Sequence, residues 1–189
     1  MTVDRTVRDA LAARAGVLAD VSVLTGGRVA VEPQPFLAQV SLRLDAALAE
    51  RLPFVLPLEP NTAWEDISRA ALWLGPDEWL VLGPPHAAPE IVAELGRALE
   101  GEHRSIVDVS ATRMAIELAG PDRFELLASG CGLDLHPRSW HAGMCAQTLF
   151  ARTQVILHER DYATRVLVRS SFAGYLVDRL LAGRESGRD

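Results

Sequence analysis

Hydrophobic positions along the chain repeat either every two residues or every three to four, and each period predicts a different element. Phe36, Ala38, Val40, Leu42 and Leu44 alternate with Leu37, Gln39, Ser41 and Arg43, which predicts a strand with one polar face. Asp45 is placed to cap a helix that runs to about Leu52 and stops at Pro53, and Pro57 and Pro60 mark the next stretch as loop. Two short apolar runs, 70–74 and 79–82, flank Gly75-Pro76-Asp77 and predict a hairpin, because proline and glycine pre-set the turn's backbone angles. Ile91, Leu95 and Leu99 form one stripe of a helix over 88–99 that ends near Gly101, and a strand follows through Ile106, Val107 and Val109.

The second half repeats this order of elements. A strand is predicted at 114–118 and a helix from Pro121, with Phe124, Leu127 and Ala128 facing inward. A hairpin over 147–158 and 162–168 follows, and then a helix that carries Phe172, Leu176 and Leu180, starts after Ser170 or Ser171 and stops at Gly183. Ahead of both halves, Val3, Val7 and Leu11 suit a short amphipathic helix, and the runs 21–24 and 29–31 on either side of Thr25-Gly26-Gly27-Arg28 suit a hairpin. A doubled β-α-β-β-α order is the pattern of ferredoxin-like units, whose helices cover one face of a sheet. The expectation is an α+β protein with two pseudo-repeats. Residues 1–35 form an N-terminal helix and hairpin, 36–103 and 104–183 two α+β subdomains, and 184–189 a tail.

Length and charge narrow the function. At 189 residues the chain makes one domain or two small ones, and folding should bury roughly 70% of the unfolded surface, so neither metal nor disulfide is needed to hold the core. The net charge of −6 and the absence of any dense basic block argue against a nucleic-acid surface. All 19 basic residues are arginine, which excludes a Schiff-base lysine, a pyridoxal-phosphate anchor and a phosphate-loop lysine. Charge appears at once in Met1-Thr2-Val3-Asp4-Arg5 and apolar runs are short, so neither signal peptide nor membrane span is expected. With only Cys131 and Cys145, the reading is a cytoplasmic protein with reduced thiols.

Candidate chemistry is sparse. Cys131, His136, His141 and Cys145 are all zinc-ligand types, separated by four, four and three residues, but they form neither a Cys-x-x-Cys knuckle nor a histidine pair on one helix face. The spacing favours two buried thiols and two surface imidazoles. Asp108 and Ser110 lack the Gly-x-Ser-x-Gly elbow of a nucleophile, and such pairs commonly bond the backbone of the next turn. Gly120-Pro121 opens a helix where backbone amides could face an anion, although proline there is ordinary helix-start chemistry. The adjacent acids Glu65-Asp66 and Asp77-Glu78 point in different directions and make no acid/base pair. Trp73 and Trp79 flank a turn and read as packing, and Trp64 is open to an anchoring role.

Six segments in register change the picture. They are Leu74-Gly75-Pro76-Asp77-Glu78-Trp79-Leu80, Val107-Asp108-Val109-Ser110, Gly120-Pro121, Gly130-Cys131-Gly132-Leu133-Asp134-Leu135, Gly143-Met144-Cys145-Ala146-Gln147-Thr148-Leu149 and Arg169-Ser170-Ser171-Phe172-Ala173-Gly174-Tyr175-Leu176. Over about residues 20–183 the series resembles the gamma subunit family of heterotetrameric sarcosine oxidase. That family is similar in fold to the folate-binding aminomethyltransferase (T-protein) of the glycine cleavage system, whose opening-domain landmarks match Asp108, Ser110, Gly120, Pro121, Asp122, Asp134 and Leu135 here. The T-protein's folate-facing carboxylate comes from a Gly-Gly-Ile-Ile-Asp-Asp hairpin, where this chain has Phe150-Ala151-Arg152-Thr153-Gln154-Val155-Ile156, with neither glycine pair nor acid.

The resemblance therefore implies the fold without the transferase site. It implies a non-catalytic gamma subunit with an assembly role, docked on an alpha subunit beside beta and delta subunits. That complex demethylates sarcosine to glycine with hydrogen peroxide, passes the one-carbon unit to tetrahydrofolate, and holds FAD, FMN, NAD, tetrahydrofolate and zinc on other subunits. The motif residues Gly75, Pro76, Asp77, Trp79, Asp108, Ser110, Gly120, Pro121, Cys131, Asp134, Cys145, Gln147, Thr148, Arg169, Ser171 and Phe172 are then expected to serve structure or interface. The alternative is a stand-alone folate-binding or folate-dependent transferase, which needs a concave pocket with an acid and an arginine or aromatic clamp near Asp108, Trp79 and Arg113.

Overall fold

A computed structural model of the protein describes residues 29–34 and 37–186. Its strands are β1 (Ala30–Gln34), β2 (Ala38–Leu44), β3 (Ala63–Glu65), β4 (Ala70–Gly75), β5 (Glu78–Gly83), β6 (Arg104–Asp108), β7 (Arg113–Ala119), β8 (Cys145–Phe150), β9 (Thr153–Glu159) and β10 (Ala163–Arg169). Its helices are α1 (Ala88–Ala98), α2 (Arg123–Ala128) and α3 (Ala173–Ser186). The strands form two antiparallel sheets, one in the order β3-β4-β5-β2-β6 and the other β1-β7-β10-β9-β8.

The period-two pattern of β2 sends Val40, Leu42 and Leu44 to the outer face of the first sheet, where Ile91 and Leu95 of α1 cover them. Asp45 accepts a hydrogen bond from the Ala47 amide at 2.9 Å and caps a short 3-10 turn, Ala46–Arg51. Helix α1 packs so close to β5 that a Cβ on Gly83 would lie 2.6 Å from Ile91 Cδ1 and push that methyl aside. Gly101, at φ +81°, turns the chain out of that helix.

The second sheet buries its outer face, Ile116, Leu118, Leu157, Val166 and Val168, against Leu127 of α2 and Leu176 and Leu180 of α3. Between the sheets, Ala70, Leu72, Leu80 and Leu82 meet Ala115, Cys145, Ile156 and Leu167. The order of layers is thus helix, sheet, sheet, helix. Each fully buried leucine between the sheets contributes roughly 1.5–3 kcal/mol by leaving water.

Several expectations are corrected. The stretch 147–158 is not one strand: it turns at Ala151, whose φ is +51°, so three strands rather than two separate α2 from α3 and the β-α-β-β-α order is not reproduced. Strand β3 is an added edge strand that its three residues were too short to signal. Residues 104–108 join the first sheet beside β2, and β1 joins the second beside β7. Helix α3 continues through Gly183 to Ser186, and Ser170 precedes it in a 3-10 turn with its hydroxyl donating to the Ala111 carbonyl at 3.1 Å. The predicted N-terminal helix, the run 21–24 and Phe36 lie outside the described residues. No helix among the described residues is long and apolar enough to cross a membrane.

Candidate functional site

Strand register lays the inner face of the second sheet out as three rows across β8, β9, β10 and β7. The closed end carries Cys145, His158, Arg165 and Glu117; the middle Gln147, Ile156, Leu167 and Ala115; the open end Leu149, Gln154, Arg169 and Arg113. The first sheet covers the closed end and part of the middle row. The open end is left as a cavity of about 780 Å³ whose lining includes Arg113, Arg169, Gln147, Gln154, Leu149 and Leu167.

The closed end is a charge network that ties the two sheets. Arg160 donates to Glu65 of the first sheet at 2.9 Å and to Glu117 at 2.8 Å, and Arg165 lies 3.9 Å from Glu65 and 3.8 Å from Glu117. Burial, then the Arg160 charge, lowers the pKa of Arg165. His158 is pushed down to about 3, first by burial and then by Arg165 and Arg160. It is therefore neutral, and its 3.8 Å approach to Glu65 is not an ion pair. Cys145 joins this end, its Sγ against the Thr62 and Trp73 carbonyls at 3.2 and 3.3 Å, and burial raises its pKa to about 12. A thiol held that far from its thiolate is a poor nucleophile.

A second buried network lies on the outer face. The Glu159 carboxylate, 1% exposed, accepts from Arg123 at 2.8 Å, from Trp140 Nε1 at 3.0 Å and from Thr164 Oγ1. It fixes the start of α2 and the loop before β8 to the second sheet.

The four metal-type residues do not come together. Cys145 is between the sheets and Cys131 is in the outer core, 3.8 Å from Thr148 Oγ1. His136 and His141 are exposed; His136 Nδ1 accepts from the Arg138 amide, and His141 Nδ1 lies 3.0 Å from the Ala142 carbonyl. Among the described residues no group of three metal-ligating side chains converges.

The remaining motif residues are held by local bonds. Asp108 Oδ1 accepts from the Ser110 amide at 2.9 Å and hydroxyl at 2.6 Å, and Ser110 Oγ accepts from the Gln39 amide at 3.0 Å. Asp134 accepts from the His136 amide, and bonds from the Ser139 side chain and that amide lower its pKa. Gly75-Pro76-Asp77 turns β4 into β5, and Arg43 pairs with Asp77 and Glu78. Gly120, at φ +115°, accepts from the Arg123 side chain, and Pro121 is exposed beside it. Gln147 donates to the Leu74 carbonyl at 2.9 Å and bridges the sheets. Trp64 stacks on Phe54 with ring centroids 5.9 Å apart. Ser171 and Phe172 are exposed at the start of α3.

Trp79 takes no part in a folate clamp. Trp79 is 1% exposed in the outer core of the first sheet and donates to the Pro57 carbonyl, facing away from the cavity that Arg113 lines.

The sequence model described as "Sarcosine oxidase, gamma subunit family" matches residues 37–183. The chain belongs to this family. The sarcosine oxidase subunit gamma of Corynebacterium sp. strain P-1 is 34% identical over 165 residues, covering 83% of this chain and 80% of that protein. The gamma subunit of Corynebacterium sp. strain U-96 is 31% identical over 184 residues, covering 93% and 89%. In three dimensions this gamma-family chain superposes, with a TM-score of 0.82 and 30% identity, on a chain of the heterotetrameric sarcosine oxidase of Corynebacterium sp. U-96, solved with pyrrole 2-carboxylate; coverage is 92% of this chain and 94% of that one. The glycine cleavage system aminomethyltransferase T of Bartonella henselae shares the fold at a TM-score of 0.64 and 15% identity, and this gamma-family chain matches 46% of its length.

The residues that sequence reasoning passed over are Glu117, Arg123, His158, Glu159, Arg160 and Arg165, and Glu65 was read only as half of an adjacent acid pair. Their signal was the interruption of apolar strands by ionisable groups, as in Ile156-Leu157-His158-Glu159 and Thr164-Arg165-Val166. A charged residue inside a buried strand needs a partner from elsewhere in the fold.

Proposed function

We propose that the chain is a structural subunit of a heterotetrameric sarcosine oxidase, docking on the large alpha subunit beside beta and delta and performing no chemistry of its own. In this reading FAD, FMN, NAD, tetrahydrofolate and zinc belong to the other subunits, where sarcosine is demethylated to glycine. The observation that carries it is the superposition of 92% of the chain on one chain of a heterotetrameric sarcosine oxidase. It is supported by the local bonding of Asp108, Ser110, Asp134 and Cys145, each engaged with backbone or neighbouring side chains.

Turnover by the assembled complex tests this reading. With Asp108→Asn and Ser110→Ala introduced together, sarcosine oxidation per bound flavin is expected to stay within about twofold of the unmodified complex, because neither group touches reacting atoms. A fall of about tenfold or more, about 1.4 kcal/mol of barrier, in a complex that still assembles would give the chain a catalytic part and contradict the proposal.

A further inference from the structure

The arginines buried in this molecule are matched, with one exception. Among the described residues, Arg69, Arg123, Arg160 and Arg165 each lie within ion-pair distance of a carboxylate, and half-buried Arg104 meets the Glu102 and Gly96 carbonyls. The half-buried Arg113 side chain donates to Thr112 Oγ1 at 3.5 Å, and the acid that acts on it, Glu78, is already bonded to Arg43 at 2.5 Å. Strand register also sets Arg113 directly opposite Arg169 on β10. Like charges opposite one another on adjacent strands destabilise a sheet. Burial, then the Arg169 charge, lowers the pKa of Arg113, and the Glu78 carboxylate offsets only part of that shift.

The pair lies between two depressions at the open end of the sheets: the 780 Å³ cavity, and a smaller one reaching Ser41, Glu78 and Ser171. Apolar side chains border it. Leu149, on the cavity wall, is 54% exposed, and Phe172, three residues beyond Arg169, is 44% exposed. Arginine beside exposed apolar groups is the composition of a protein interface core.

We infer that Arg113 and Arg169 together receive an aspartate or glutamate side chain of the alpha subunit, with Leu149 and Phe172 covered by apolar groups flanking that acid. Two guanidinium groups side by side present parallel donors to the two oxygens of one carboxylate. An acid placed there would remove their mutual repulsion, and the chain is otherwise acidic, with a net charge of −6, so this cationic spot selects one orientation of docking. The inference rests on the reading of the chain as a docking subunit.

The test measures binding of the purified alpha subunit to the full-length chain at low and moderate salt. The double variant Arg113→Gln, Arg169→Gln is compared with the wild type and with Arg97→Gln, Arg179→Gln, which removes the same charge from two exposed helix positions. Affinity is expected to fall at least about tenfold in the first variant, with a weaker salt dependence, and to hold in the control. Melting of the isolated first variant should match or exceed wild type, since a repulsion is removed. The single variant Arg169→Gln, at an exposed position, gives the same comparison should the double one fold poorly. Unchanged alpha-subunit affinity in the folded variants overturns the inference, as does saturable citrate binding to the isolated wild-type chain with assembly of the double variant unimpaired. Failure of the wild-type chain to bind alpha at all instead removes the docking reading itself.

Discussion

Glu159→Ala is expected to destabilise the chain by about 3–5 kcal/mol, because it strips the carboxylate from the largely covered Arg123 guanidinium, which keeps only the Gly120 carbonyl, and leaves two more donors without an acceptor. The carboxylate is 1% exposed and receives Arg123, Trp140 and Thr164 together, while the Arg123 Nε has no partner of its own. Removing the acid therefore strands a charge at the start of α2, an indole N–H and a hydroxyl in one step. At roughly 2–4 °C per kcal/mol for a chain of this size, the melting temperature should fall by about 6–20 °C. Glu159→Gln keeps an oxygen acceptor and should lose less. Thermal melts of the three proteins decide it: a loss under about 1 kcal/mol for the alanine variant would mean that water or relaxation replaces the carboxylate and that this network does not hold the outer layer.

Acid sensitivity is the second large effect, and it is assigned to His158. The folded-state pKa is about 3, against 6.5 for an unperturbed histidine, so between those values the unfolded chain binds a proton that the folded chain refuses. Stability from this group is complete above pH 6.5 and falls as pH drops below it. The loss is about 1.4 kcal/mol for each pH unit, or about 2 kcal/mol at pH 5. Glu65 from β3 lies 3.8 Å from the imidazole and the charges of Arg165 from β10 and Arg160 beyond β9 act on it, while Glu65 and Glu117 are already committed to those arginines. Urea unfolding at pH 7.5 and pH 5.0 should therefore show the wild type losing about 2 kcal/mol more than His158→Asn. Parallel losses in the two proteins would place the acid sensitivity elsewhere.

These two networks mark where the sequence stopped being legible. Local signals carried the hairpin at Gly75-Pro76-Asp77, the Asp45 cap and the stripe of Ile91, Leu95 and Leu99, because each is settled by residues within one or two turns of each other. The turn at Ala151-Arg152 was missed, since an alanine at φ +51° replaces the glycine or asparagine that announces a left-handed turn. Sheet membership of β1 and β6 depends on pairing partners 60 or more residues away, as in Val40 with Asp108 and Val31 with Leu118, and no local pattern encodes it. The same holds for the site. Arg113 and Arg169 were visible one at a time, but their confrontation exists only in the register of β7 with β10.

Family membership, by contrast, was legible from six short segments whose order and spacing outweigh the weakness of each. Physical placement then explains what they do. Gly75-Pro76-Asp77 closes a hairpin, Asp108 and Ser110 brace the exit from β6, and Cys145 and Gln147 hold one sheet to the other. In the proposed reading such residues serve a scaffold on which contact surfaces are placed. They make no constellation of nucleophile, base and oxyanion donors.

The central claim, that this gamma-family chain works by joining a flavin-bearing complex, is tested most directly by co-expressing the tagged chain with the alpha, beta and delta subunits from the same source and recording the visible spectrum of the purified product. The account predicts a stoichiometric assembly with flavin absorption, the colour lost when the tagged chain is purified alone. A colourless tagged chain that purifies without partners would contradict it.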